Sequence, residues 1–360
     1  MIHVAILGSG HVGLALAAFL GSRPELAVRL WGRSLRDRGM LQVSAFGDSG
    51  VYAQGTATAE PVLERVLQGV DVVILAVPTN VRHTLIAPVA ASLDACPLLL
   101  AWEGAGRLRQ SMRALGIAQP MIVGLQRSPI LCRTQRALRS VEILGVRSEV
   151  VAATIAAEDT ADAQRAMKAL LPFRFAFAPN YDCVTLSPGN PLIHPARLYR
   201  CDLARLRPGG RGGRFYADWD DRASATLLAL HSELARLRDA LRLPAEFVHT
   251  MADAPTPPSP SQTTCDIRAA RSLAGIRLPL SIGAQGYGWN LQHRFFREDI
   301  GEGLAGILEI ARSAGVAMPT AQAIEHWHAD LRASSPLGAD AVFQPALHRA
   351  AGDAAHCGLR

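Results

Sequence analysis

The chain has 360 residues, 49% of them hydrophobic and 19% charged, and a net charge of +6. This is the make-up of a globular protein with room for two cores, and it excludes a disordered or collagen-like chain. No apolar run approaches membrane-spanning length, and the first begins at Ile2, too early for a signal peptide; the reading is a cytoplasmic protein with no membrane role.

In chain order, the first element is an apolar β-prone run, Ile2–Leu7, followed by Gly8-Ser9-Gly10-His11-Val12-Gly13 and a helical pattern from Leu14 to Leu20. The six residues form G-x-G-x-x-G between a strand and a helix, the context in which that pattern binds a dinucleotide. Gly8 allows the tight turn and Gly10 lets the backbone approach a pyrophosphate. Gly13 permits close packing of the helix, whose N-terminus faces the phosphates. The next strand, Leu26–Trp31, runs into Gly32-Arg33-Ser34. An NAD site usually places an acid here for the ribose 2′-hydroxyl. Arg33 and Ser34 instead offer a guanidinium and a hydroxyl, which suit a 2′-phosphate, so NADP(H) is expected over NAD(H).

Asp71 to Pro78 reads as a buried parallel strand whose end, Val77-Pro78, lies beside the cofactor. Further strands are expected at 97–102, 121–124, 141–145 and 173–178, with helices at 60–68, at 107–115 and around Lys168. Such alternation predicts an α/β fold, a doubly wound, Rossmann-type parallel sheet, over residues 1–180.

Beyond residue 180 the alternation stops. Leu227, Leu230, Leu234, Leu237 and Leu241 fall three and four apart in a helix over 222–243, ended by Pro244. Helical patterns recur at 303–314 and 320–331, so 181–333 reads as a mainly α-helical C-terminal domain, with a Pro-rich surface loop at 254–261. The tail, 334–360, has no periodicity and is expected to be loosely held.

Six cysteines, at 96, 132, 183, 201, 265 and 357, form no C-x-x-C pair, which fits reduced thiols and neither a disulfide framework nor a metal site. Lys168 is the single lysine, an arginine bias attributable to genome composition. Arg197, Arg200, Arg205, Arg207, Arg211 and Arg214 cluster in sequence, but no nucleic-acid motif accompanies them, so no nucleic-acid partner is expected.

Two segments carry candidate chemistry. Gly189-Asn190-Pro191-Leu192-Ile193-His194-Pro195 places one histidine between prolines, and is expected to be a rigid, non-repetitive loop presenting an acid/base. Arg294-Phe295-Phe296-Arg297-Glu298-Asp299 precedes a helix, for which Asp299 would serve as N-cap or first-turn acid.

With these motifs the chain resembles the octopine/nopaline (opine) dehydrogenase family. The resemblance runs from residue 1 to about 332 and rests on Asn190-Pro191-Leu192-Ile193-His194-Pro195 and Arg294-Phe295-Phe296-Arg297-Glu298-Asp299. Val77 to His83 and Pro129 to Arg133, which includes Cys132, resemble family segments as well. It implies reductive condensation of an amino acid with a 2-oxo acid to an N-(1-carboxyalkyl) amino acid, with a homodimer among the expectations. His194 would then be the proton donor or acceptor at the imine or amine nitrogen. Asp299 would orient it, Arg294 would bind a substrate carboxylate, and Asn190, Arg127 and Cys132 would line the substrate site. Leu125-Gln126-Arg127-Ser128 lacks the acid found there in arginine-using relatives; Arg127 would favour a carboxylate-bearing partner instead. Two other readings are a hydroxyacid or ketopantoate-type reductase and a non-catalytic NADP-sensing protein. The first typically needs a lysine in its second domain, and the second has no use for a His-Arg-Asp set.

Overall fold

The computed structural model of the chain describes residues 1–48, 50–93, 98–102, 108–116, 121–135, 139–187, 189–203, 206, 213–283 and 286–334. The tail beyond 334, Cys96, Cys357, Arg205, Arg207 and Arg211 lie outside them.

The strands are Ile2–Leu7 (β1), Leu26–Trp31 (β2), Gly39–Gly47 (β3), Gly50–Ala59 (β4), Val72–Leu75 (β5), Leu98–Ala101 (β6), Met121–Leu125 (β7), Ile130–Gln135 (β8), Ser140–Val146 (β9), Val150–Thr154 (β10) and Phe175–Phe177 (β11). They form one sheet in the order β11-β10-β7-β6-β5-β1-β2-β4-β3-β9-β8. From β7 to β4 the pairing is parallel, with Val4 beside Val28 on one side and Val72 on the other. The central strands are buried on both faces, which is why β5 and β6 read as unbroken apolar runs. Val4, Ile6, Leu30, Ile74 and Leu100 fill one face with the helix His11–Gly21, and Ala5, Leu7, Val73 and Leu99 fill the other. Each large side chain among them contributes roughly 1.5–3 kcal/mol by leaving water.

The sheet is wider and less parallel than the alternation predicts. β3 and β4 form an antiparallel hairpin, β8 and β9 a second, and β10 runs antiparallel to β7. Only Val43 and Ala45 of β3, and Gly55, Ala57 and Ala59 of β4, are buried. The apolar signal of the first hairpin is therefore carried by small residues, and the periodicity does not register it.

The second unit is built on the helix Asp221–Ala240, whose Leu227, Leu230, Leu234 and Leu237 are buried together as the spacing predicts. Glu233, on the same helix and 3% exposed, accepts from the backbone N–H groups of Thr320 (2.6 Å) and Ala321 (3.1 Å). A buried carboxylate thus caps the helix Pro319–Ala333 from another element. A short hairpin, Leu280–Gly283 (β12) with Gly286–Trp289 (β13), adds the only sheet among the described residues of this unit.

Two expectations are corrected. The segment around His194 is the start of a helix, Asn190–Arg200, and no loop. Pro191 sits in the first turn, where its missing N–H has no carbonyl to meet. Pro195 forgoes one bond, but Leu192, His194, Ala196 and Leu198 are buried by packing, which outweighs that loss of roughly 3 kcal/mol. Asp299 caps nothing: the helical backbone already begins beside Arg294, and Phe295–Leu304 is a π-helix that continues as the α-helix Ala305–Ser313. None of the described helices is long and apolar enough to cross a membrane.

Candidate active site

The glycine turn fits a dinucleotide. Gly8 adopts φ +128°, a conformation that favours glycine, and a Cβ there would overlap the Ala76 carbonyl and press on Val77. A Cβ on Gly13 would overlap the Gly8 carbonyl oxygen, so helix and turn touch backbone to backbone. Gly10, the N-cap of His11–Gly21, has open space where its Cβ would stand and no side-chain cap on its helix. The orphan N–H groups of that helix start therefore face an open approach, the cradle a pyrophosphate needs. Val12 packs on the core beneath, and Val77, followed by Pro78, borders the turn at Gly8.

Ser9 and Ser34 meet hydroxyl to hydroxyl at 2.6 Å, tying the glycine turn to the end of β2. Arg33 is exposed there, while Arg38 faces the buried Glu60 at 3.4 Å. His11 accepts from the Thr134 backbone N–H at 2.8 Å and so ties its helix to β8. Partial desolvation, then the charges of Arg133 and Arg294, hold its pKa below the ordinary histidine value.

His194 is 3% exposed and both its nitrogens are engaged. Nδ1 lies 2.6 Å from Asp299 Oδ2, and Nε2 lies 2.8 Å from the Tyr216 hydroxyl. A carboxylate has only acceptors, so Nδ1–H donates to it and Nε2 is the nitrogen whose proton can come and go. Phe295 stacks on the imidazole at 3.8 Å between centroids and Phe215 meets it edge-on at 5.2 Å. The ring is thereby held against rotation. The two helices that carry the pair also interlock, since a Cβ on Gly303 would overlap the Pro191 ring. The helix Thr79–Leu93, which follows Val77-Pro78, packs on the π-helix and brings the pair to the cofactor side of the sheet.

Residues 178–332 match the family described as NAD/NADP octopine/nopaline dehydrogenase, alpha-helical domain, and residues 3–104 match the NAD-dependent glycerol-3-phosphate dehydrogenase N-terminus. The similarity extends through both units. Protein ocs of Agrobacterium tumefaciens (strain Ach5) is 24% identical over 335 residues, covering 90% of this chain and 89% of that protein. The second unit is thus an octopine/nopaline dehydrogenase alpha-helical domain, and the chain as a whole is similar to proteins of that family. Among solved structures, octopine dehydrogenase with NADH and L-arginine shares the fold at a TM-score of 0.72, with 21% identity over 92% of this chain and 89% of that one. Yersinopine dehydrogenase with NADP+ bound does so at 0.70, with 16% identity over 92% and 91%.

The geometry gathers His194 and Asp299, and Arg294 immediately precedes Phe295, the ring that stacks on the imidazole. Arg294 is exposed, its Nε 3.9 Å from Glu298 Oε1, which leaves its fork open to solvent. Asn190 is exposed one helical turn before His194, on the same face. Arg127 lies just past the end of β7, exposed, with its pKa lowered by partial desolvation and then by the like charge of Arg147. No contact joins Arg127 to His194 among the described residues. Cys132 is buried in the core of the first unit, with Leu125 and Val141, so its thiol does not join the cluster.

Tyr216 is the member that the sequence reading misses. It follows Phe215 in an irregular stretch between Gly213 and Asp220, outside both motifs, and nothing in its spacing points to His194. Of the six-arginine cluster, Arg197 is buried and bonds to the carbonyls of Phe215 (3.3 Å) and Asp218 (2.6 Å). It holds the segment that presents Tyr216. Lys168 is exposed in the last turn of the helix Thr160–Leu170.

Proposed function

We propose that the chain catalyses the NAD(P)H-dependent reductive condensation of an amino acid with a 2-oxo acid to an N-(1-carboxyalkyl) amino acid, and the reverse oxidation. The observation that carries this reading is the buried Asp299–His194 pair, 2.6 Å apart, with Asp299 on a π-helix that packs against the helix following Val77-Pro78. When bound, the cofactor supplies or removes the hydride. The chain's own residues handle position and protons. His194 takes the proton of the substrate nitrogen in oxidation and returns it after reduction, Asp299 fixing the ring through Nδ1–H. Arg294 clamps a substrate carboxylate, with Asn190 hydrogen-bonding nearby. Arg127, repelled by the like charge of Arg147 and in no ion pair among the described residues, favours a substrate with a further carboxylate. Cys132 acts only from beneath, by packing β8.

NADP(H) is the preferred cofactor in this reading. β2 ends without a carboxylate to repel a 2′-phosphate, Ser34 is anchored through Ser9, and Arg33 is exposed beside it. The test is a matrix of amino acids and 2-oxo acids with NADPH and with NADH, followed by product mass. Cofactor should be consumed only when both carbon substrates are present. Consumption with the oxo acid alone would mark a hydroxyacid-type reductase, and tight NADPH binding with no turnover would mark a sensor.

A further inference from the structure

Tyr216 stands where a substrate would have to stand to reach His194 directly. Its hydroxyl is 2.8 Å from Nε2, the only nitrogen of the ring free to exchange a proton once Asp299 has claimed Nδ1–H. The ring of Tyr216 is 5% exposed and is fixed by neighbours, meeting Phe215 edge-on at 4.9 Å and lying parallel to Trp219 at 6.5 Å. A substrate nitrogen can therefore reach the imidazole only through this hydroxyl or by expelling a packed aromatic ring.

We propose that Tyr216 is a catalytic residue that carries the proton between the substrate nitrogen and His194. This rests on the acid/base reading of His194 above. In the oxidative direction the substrate N–H bond breaks and an H–O bond forms at Tyr216. At the same time the Tyr216 O–H bond breaks and an H–Nε2 bond forms. The hydroxyl ends as it began, His194 gains one proton, and the substrate nitrogen keeps its electron pair. Reduction runs the same relay backwards. A hydroxyl suits the task because it donates and accepts at one oxygen.

The groups around the relay agree with a neutral hydroxyl as the resting form. Burial, then the charge of Asp299, pushes the Tyr216 pKa up to about 12, with Arg294 opposing. His293 also faces the ring system; burial, then Arg294 and His194, lowers its pKa, and Asp299 opposes. Tyr216 thus passes a proton through without standing as phenolate, and His194 remains the group that stores it.

Tyr216→Phe keeps the ring and removes the relay. In the full-length protein kcat should fall about 10²-fold or more, with KM for both carbon substrates and NADPH affinity within about threefold of the parent. The double variant with His194→Ala should be no slower than the slower single variant, because both residues serve one proton path. Tyr216→Phe with near-parental kcat, or losses that multiply in the double variant, would overturn the relay. A chain carrying 3-fluorotyrosine at 216 retains ring and hydroxyl with a more acidic phenol. Because the phenol relays the proton without standing as phenolate, its acidity should alter kcat several-fold at fixed pH, whereas an unchanged kcat would mean that the hydroxyl only packs. If the parent shows no turnover that depends on both carbon substrates, the proposed function itself fails; if the parent turns over and Tyr216→Phe equals it, only the relay fails.

Discussion

Asp299 determines which nitrogen of His194 carries a permanent proton. The two residues are 105 positions apart and 2.6 Å from each other, on two helices locked by Gly303 against Pro191. Asp299→Asn preserves the shape and removes the charge, so Nδ1 loses its fixed acceptor. We expect kcat to fall about 10²-fold with NADPH binding intact. Steady-state rates alongside a cofactor titration check this, and a variant with full kcat would remove Asp299 from the catalytic set.

The glycine turn offers a paired test. Gly10→Ala meets no neighbour within 4 Å, whereas a Cβ on Gly13 would overlap the Gly8 carbonyl. Gly10→Ala should therefore fold with an unchanged melting temperature yet bind NADPH about tenfold more weakly, a loss of roughly 1.4 kcal/mol. Gly13→Ala should be markedly destabilised. Equal behaviour of the two variants in thermal melts would contradict the cradle.

Arg33→Ala separates the cofactors. A guanidinium on a 2′-phosphate is worth roughly 1.5–3 kcal/mol, so NADPH affinity should drop about 10- to 100-fold. NADH affinity should stay within about twofold. Fluorescence titration with each nucleotide decides it, and equal losses would show that Arg33 serves the adenosine generally.

Stability should depend on pH through buried histidines. Burial, then the charge of Arg332, lowers the His328 pKa to about 4, and burial, then His249, lowers that of His231 to about 4. An unfolded histidine titrates near ~6.5. Between those values the unfolded chain binds protons that the folded chain refuses, so this stability is intact above about pH 6.5 and is lost as the pH falls toward 4. Urea unfolding at pH 7 and 5 should show the loss, and His328→Leu should remove about 1–2 kcal/mol of it. A pH-independent unfolding midpoint would contradict the assignment.

Glu233 carries a purely structural prediction. Glu233→Ala leaves the N–H groups of Thr320 and Ala321 buried without their acceptor, at a cost of about 1–3 kcal/mol in chemical denaturation. Catalytic constants of the folded fraction should be unaffected.

The nucleotide turn and the leucine face of Asp221–Ala240 were legible because each follows from a local rule, glycines between strand and helix and apolar residues three and four apart. The pairing of the His194 and Asp299 segments was legible only through family resemblance, since no spacing predicts a contact across 105 residues. The helical state of Asn190–Arg200 was hidden by Pro195, whose local cost is overcome by tertiary burial that a sequence window does not contain. Tyr216 was hidden for a related reason. One aromatic residue in an irregular segment acquires meaning only when Arg197 and the surrounding rings place it.

The π-helix Phe295–Leu304 makes this catalytic centre sensitive to chain length. Such wide turns are uncommon, and every residue in them contributes its own rotation to the angle between the flanking segments. Removing one residue between Ile300 and Leu304 would let the segment relax toward α geometry and swing what lies on one side by about 100° relative to the other. Either Asp299 would leave His194, or the helix Ala305–Ser313 would leave its core. An ordinary substitution changes a side chain; an insertion or deletion here changes the angular bookkeeping of the whole unit. Length variation among the relatives should accordingly avoid these ten residues, and an engineered single-residue deletion would act as an off switch without touching any atom of the site.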